Sequence, residues 1–184
     1  MQRINLIFLI SLLFATVYSA CNTDNLVSNF NFEKFDSLTG SYILSPWKYT
    51  VLFNDPHDGE LYSYYVRQET PRNQAASLNT PGRTEVFQNV TLNPDKKYTL
   101  SFATAANDLC KSATKQATGY FGIGESLYSF TSTKTWEWVS YTFNVDKADN
   151  VIRFGSSTSG VDGDDIVESV CGPVIDDVLL TVSC

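Results

Sequence analysis

Two adjacent carboxylates, Asp176 and Asp177, interrupt the aliphatic run Val174-Ile175-Asp176-Asp177-Val178-Leu179-Leu180 near the end of the chain. Strand side chains alternate between faces, so one acid should point outward and the other inward, where a carboxylate is costly unless hydrogen-bonded or bound to a cation. The inward acid is thus a structural polar anchor or a metal ligand. Three further acids, Asp162, Asp164 and Asp165, share a Gly-containing loop but lack the spacing and closing Glu of an EF-hand, which fits a solvated turn better than a calcium loop. The single histidine, His57, sits in the turn Asn54-Asp55-Pro56-His57-Asp58-Gly59, where an exposed turn is a better reading than a Ser-His-Asp arrangement. A carboxylate pair for glycoside cleavage stays open, because 20 acids offer many pairs and only geometry selects one.

Stacking chemistry is the second possibility. Sugar rings present flat C-H faces that pack on aromatic rings, with polar side chains beside them fixing hydroxyls. Aromatics make up 14% of the chain, enough for such a platform. Tyr62 and Tyr64 alternate onto one face, and Trp136 and Trp138 share a face of another segment; Trp47, Tyr49 and Tyr65 are further candidates. Most of these rings must be core in a two-layer protein. Tyr62, Tyr64, Arg67 and Trp136 are the expected ligand-binding residues.

The elements that position these groups are short strands. Segments rich in Val, Ile, Phe, Tyr and Thr run at Leu26 to Phe32, Lys48 to Phe53, Leu61 to Gln68, Thr84 to Val90 and Tyr98 to Thr104. They continue at Ala117 to Ile123, Leu127 to Thr131, Glu137 to Val145, Val151 to Gly155 and Val174 to Val182. Turn signals separate them and no helical period competes, which predicts an all-β protein, a two-sheet antiparallel sandwich or barrel of about ten strands. The glycines of Gly119-Tyr120-Phe121-Gly122-Ile123-Gly124 mark bulges or close sheet contacts, and no phosphate-binding fingerprint is present.

Arg3, the apolar run from Ile4 to Val17 and the small end Tyr18-Ser19-Ala20 have the three parts of a secretory signal peptide, with a lipoprotein leader ahead of Cys21 as the rival that Tyr18 fits poorly. The run is shorter than the roughly 20 residues that a bilayer span needs, so no membrane association is expected after cleavage. Residues 21–184 then form one domain of 164 residues. The leader's only charge is Arg3, so 12 basic against 20 acidic residues give the mature chain a formal charge of −8. That balance disfavours nucleic acid and anionic membranes as partners.

Four cysteines, Cys21, Cys110, Cys171 and Cys184, are an even count in a chain expected to be secreted, which suggests two disulfides. Three pairings are possible. Domain termini often lie close together, which favours Cys21 with Cys184 and leaves Cys110 with Cys171. Asn89-Val90-Thr91 is a glycosylation sequon at Asn89 for a host with that machinery.

The opening Asn25-Leu26-Val27-Ser28-Asn29-Phe30-Asn31-Phe32-Glu33, the following Trp47, the strand Tyr98-Thr99-Leu100-Ser101-Phe102 and the closing Val174-Ile175-Asp176-Asp177-Val178 resemble galactose-binding-like jelly rolls. Many carbohydrate-binding modules have this pattern. The chain is also similar to the second module of a plant cell-wall family built of two tandem modules, long named only as a domain of unknown function. That module carries a cysteine after its Leu-Ser-Phe strand, as at Cys110, and a closing Cys-Gly-Pro-Val-Ile-Asp-Asp, as at Cys171 to Asp177. This chain departs from it in having one module, in Phe30 where glycine is usual, and in an extra terminal cysteine pair.

The resemblance implies a jelly-roll β-sandwich with Trp47 as a framework residue. It also implies a structural calcium tying the first strand to the last through Glu33 and Asp177, with Asp176 facing out. Calcium takes six to eight oxygens, so backbone carbonyls would complete the site. The expected function is that of a secreted, non-catalytic protein binding a cell-wall or extracellular-matrix polysaccharide or glycan. A structural or adhesion protein with a protein partner and a small glycan-active enzyme are the alternatives.

Overall fold

The computed structural model describes residues 24–36, 38, 41–42, 45–51, 64–66, 74–79, 83–107, 116–158 and 172–183. The signal segment, the four cysteines, His57, Tyr62, Arg67 and the Asp162 loop lie outside these residues. Twelve strands occur among them: β1 (Phe35–Asp36), β2 (Ser41–Tyr42), β3 (Lys48–Val51), β4 (Tyr64–Val66), β5 (Gln74–Ser77) and β6 (Thr84–Thr91). The others are β7 (Lys97–Ala106), β8 (Ala117–Ile123), β9 (Ser126–Ser132), β10 (Glu137–Asn144), β11 (Asp149–Ser156) and β12 (Pro173–Val182).

Two five-stranded sheets carry the fold, ordered β10-β7-β12-β5-β4 and β3-β6-β11-β8-β9, while β1 and β2 form a separate hairpin. Every pairing is antiparallel. The expected two-sheet sandwich is therefore present, with Ala117–Ile123 as expected and other strand limits differing by up to three residues. One strand, β5, carries too little β-branched or aromatic character (Gln-Ala-Ala-Ser) to be read from sequence, yet all four of its residues are buried.

Alternation builds the core. Tyr98, Leu100 and Phe102 of β7 face the opposite sheet, where Phe102 meets Phe121, Phe130 and Phe154 edge-on at 5.5, 5.2 and 4.9 Å between ring centroids. Edge-to-face rings at such distances suit the aromatic quadrupole. In β6, Thr84, Val86, Gln88 and Val90 are buried while Glu85, Phe87, Asn89 and Thr91 face away from the core.

The segment Leu26 to Phe32 is not the strand that its composition suggested. It runs beside β12 where β5, which pairs only with Val174 and Ile175, leaves that edge uncovered. Leu26 N donates to Leu180 O and Val178 N to Phe30 O, both at 2.9 Å. The Asn25 side chain supplies two more bonds, accepting from Leu180 N and donating to Val178 O, each at 2.9 Å. On the other sheet, the buried Gln88 amide accepts from Ser28 N at 2.9 Å and donates to Ser28 O at 3.0 Å. Polar side chains thus replace a regular ladder and join both sheets to one segment.

Trp47 completes this join. It is only 4% exposed, packs on Phe32 and Phe154 at 5.4 and 6.0 Å, and donates from Nε1 to Asn29 O at 3.1 Å. The framework role expected of it agrees with this placement. Trp47→Ala should cost roughly 3 to 5 kcal/mol, from the lost contacts and the cavity left behind. Denaturant titration measures this, and a loss below about 1 kcal/mol would show that the ring is dispensable.

Candidate functional site

The two outward faces of the sandwich differ. On the β10-β7-β12-β5-β4 sheet, Ala103 and Ala105 of β7, Val174 and Asp176 of β12, and Ala75 and Ser77 of β5 share the outward parity and are all buried. This face is closed at its centre. On the β3-β6-β11-β8-β9 sheet, the outward side chains form an accessible surface, and the register sets them in two cross-strand rows.

The first row runs Lys48, Phe87, Arg153, Gly122, Leu127, one residue from each strand. The second runs Thr50, Glu85, Gly155, Tyr120, Ser129. With strands about 4.8 Å apart, each row spans roughly 19 Å. Each contains one glycine, and each glycine lets its neighbours lie down. A Cβ on Gly155 would enter the Tyr120 ring, so that ring lies flat over Gly155. A Cβ on Gly122 would come within 2.6 Å of Leu127 Cδ2 and 2.7 Å of Arg153 Cγ. Of the glycines read from sequence as bulges or close sheet contacts, Gly122 lies in the floor of this surface, and Gly155 joins it.

Polar groups fix the layout. Tyr120 reaches across Gly155 and donates its hydroxyl to Glu85 Oε2 at 2.8 Å. Arg153 Nη2 donates to Gly124 O at 3.2 Å, and Nη1 lies 3.8 Å from Glu85 Oε1. The latter is an ion pair beyond hydrogen-bond reach, so Nη1 keeps donor capacity on a side chain that is 32% exposed. Gly124, at φ +60°, opens the two-residue turn between β8 and β9 and supplies the carbonyl that Arg153 uses. Phe87 is half-buried in the row and Leu127 is 58% exposed at the edge. The result is a flat surface of aromatic and aliphatic faces with a cationic donor held at its centre.

Of the residues selected from sequence, Tyr62 and Arg67 lie outside the described residues. Tyr64 lies on edge strand β4, and Trp136 immediately precedes β10, the opposite edge of the same sheet. Trp136 is half-buried, and the exposed tryptophan of that pair is Trp138, at 59%, opposite Ala103. Phe87, Tyr120, Glu85, Arg153 and Leu127 were missed because aromatic pairs drew the choice. The available signal was an aromatic at an outward position of an alternating strand, with glycines at outward positions of its neighbours.

The acidic pair also differs from expectation. Asp176 has the outward parity but is fully buried, so it does not face solvent, and its Oδ1 accepts from Asp177 N at 2.7 Å. Asp177 is the half-exposed acid. It occupies a bulge where the four residues of β12 from Asp176 to Leu179 match three of β7, Ser101 to Ala103, and its φ is +49°. Asn29 and Phe32 on the adjacent segment are also left-handed, at φ +48° and +53°. Glu33 is exposed and accepts from Asn31 Nδ2 at 3.3 Å. Among the described residues no three His, Cys, Asp or Glu side chains form a metal cluster.

Residues 25–181 match the family described as "Protein of unknown function (DUF642)". The chain belongs to that family. Comparison with curated proteins gives no match. The DUF642 chain is similar in fold to a solved carbohydrate-binding module of family 61 in complex with β-1,4-galactotriose, at 18% identity and TM-score 0.52, covering 87% of this chain and 99% of that one. A family 4 module gives 14% identity and TM-score 0.50, covering 85% and 99%. The tandem of two family 22 modules from Paenibacillus barcinonensis Xyn10C gives 12% and 0.52, covering 89% and 46%. At these identities the likeness establishes the jelly-roll fold of the DUF642 chain.

Tyr120 supplies a pH test of the surface. Burial, then the hydrogen bond to Glu85 and its charge, push the phenol above its ordinary value, against smaller lowering by Arg153 and Arg83. The folded state therefore holds this proton more tightly than the unfolded chain. Its contribution is complete below the unfolded value near 10 and is lost as pH rises through the folded one. Urea titrations at a series of pH values should show a steeper decline above about pH 10 for the wild type than for Tyr120→Phe. Equal slopes would show that the Tyr120 proton is not linked to folding.

Proposed function

We propose that this protein is a secreted, non-catalytic carbohydrate-binding protein that holds a neutral polysaccharide of a cell wall or extracellular matrix on the outer face of the β3-β6-β11-β8-β9 sheet. The observation that carries this is the glycine-floored pair of rows, in which Tyr120, Phe87 and the Arg153 stem offer flat contact beside a positioned donor. A surface about 19 Å wide is long enough for several sugar rings. The solved modules of the same fold add support, since one of them is described in complex with β-1,4-galactotriose.

The charges on this face favour binding over hydrolysis. Glu85 is engaged by Tyr120 and Arg153, and the other outward acid of these central strands, Asp149, lies six residues along β11 from Gly155. That separation is about 20 Å, whereas glycosidase carboxylates stand roughly 5 to 9.5 Å apart.

Phe87→Ala should weaken retention on immobilised polysaccharide by about 1 kcal/mol, from lost stacking. Arg153→Ala should cost more, roughly 1.5 to 3 kcal/mol, because a charged donor is removed. Trp138→Ala on the other sheet should change nothing. Affinity electrophoresis through β-1,4-galactan and xylan measures all three, alongside melts that confirm folding. Retention that depended on Trp138 instead, or vanished in moderate salt, would point to another surface or a charged partner.

For Glu33 and Asp177 the proposal is a structural calcium that ties the opening segment to the β12 bulge. Calcium at 100 times its dissociation constant should add about 2.7 kcal/mol to the folded state. Melting temperatures in calcium and in chelator should differ for the wild type and coincide for Asp177→Asn. Coincidence in the wild type would remove the cation from the account.

A further inference from the structure

The sequon residue Asn89 lies on the proposed sugar face itself. It is exposed on β6, on the outward parity of Glu85 and Phe87, and pairs with Val151 of β11. Phe87 is two residues away on the same strand, about 7 Å, and its partner Arg153 stands at the same remove from Val151. Thr91, which completes the sequon, is exposed on the same face.

We propose that an N-linked glycan on Asn89 masks this face, so that the modified and unmodified chains differ in their capacity to hold polysaccharide. The inference rests on the binding reading given above. In the covalent step the Asn89 amide nitrogen bonds to the anomeric carbon of a lipid-diphosphate-linked oligosaccharide. The bond from that carbon to the diphosphate oxygen breaks, the lipid diphosphate leaves with the electron pair, and the amide proton passes to base. No electrons are exchanged with an outside oxidant. Attachment occurs on the unfolded chain during secretion, so the strand pairing of Asn89 does not obstruct it.

Geometry makes the masking local. A glycan several rings long, rooted on the face and about 7 Å from Phe87, is longer than the distance to either row of contacts. It covers the Phe87 and Arg153 end first. The opposite sheet, with Trp138, is untouched. Glycosylation here acts as competition by a tethered sugar for the surface that would receive a free one, with an effective concentration set by its attachment.

The test uses the full chain from an N-glycosylating host, with intact mass reporting occupancy of Asn89, beside the Asn89→Gln variant. Hydroxyl-radical footprinting of Phe87, Tyr120 and Leu127 reads masking without any ligand, and retention on β-1,4-galactan and xylan reads its consequence. Expected are protection of Phe87 in the glycosylated form, with Trp138 unchanged, and retention of Asn89→Gln stronger by about tenfold or more. An unoccupied Asn89, or equal footprints and equal retention in the two forms, would overturn the inference. Protection of Phe87 with no retention of folded Asn89→Gln on either matrix would sustain the masking and overturn the sugar-binding reading.

Discussion

The sandwich depends on a polar clasp. The segment from Asn25 to Phe32 has no regular ladder of its own, yet it covers the half of the β12 edge that β5 leaves uncovered and binds β6 through Gln88. A buried edge with unpaired N–H and C=O groups would cost a few kcal/mol for each group left unsatisfied. Asn25 meets two of these groups from one amide, and Gln88 meets both backbone groups of Ser28. The same segment carries the apolar Phe32 and receives the Trp47 indole, so polar satisfaction and core closure are achieved by one stretch of chain. Bringing it against β12 at the bulge also sets Glu33 and Asp177 at the same end of the sandwich.

The two outward faces follow from what lies beneath each strand position. On one sheet the outward central positions are small, Ala75, Ser77, Ala103 and Ala105, and they are buried with Asp176 among them. The Oδ1 of that carboxylate takes the N–H of Asp177 at the bulge, a group that the bulge leaves outside the ladder. On the other sheet small residues sit at alternate positions beside large ones. Gly155 and Gly122 lower the floor under Tyr120, Arg153 and Leu127 so that these side chains extend across the sheet instead of standing up from it. Small residues thus close one face and flatten the other.

Much of the fold was legible because strand alternation is a local property. Tyr98-Thr99-Leu100-Ser101-Phe102 and Glu137 to Val145 could be placed almost to the residue, since their apolar positions repeat every second residue and face one core. The Asn25 to Phe32 segment could not, because its apolar content is strand-like while its bonds run to residues 60 or more positions away, through the Asn25 side chain to β12 and the Gln88 side chain from β6. β5 escaped for the opposite reason: Gln-Ala-Ala-Ser has no strand signal, and its burial is imposed by the sheet around it. For the site, the sequence showed which rings could stack but not which strands adjoin. Phe87, Arg153 and Gly122 become neighbours only through the pairings of β11 with β6 and β8, which no local pattern encodes.

The charge arrangement on the flat face bears on what it can hold. Glu85 accepts from a phenol that burial and the carboxylate itself keep protonated, and it balances Arg153 at ion-pair distance. The one strong acceptor is therefore turned inward along the sheet, while Arg153 retains donor capacity toward solvent. A ligand meeting this surface finds ring faces and N–H donors, with the carboxylate already committed to its neighbours. That polarity suits the C-H faces and hydroxyl oxygens of a neutral sugar chain and gives little purchase to a cationic peptide, which would need Glu85 free. The hydrogen bond and ion pair that hold Glu85 also hold Tyr120 and Arg153 flat along the sheet, so one set of contacts sets both the shape of the face and the direction of its charges.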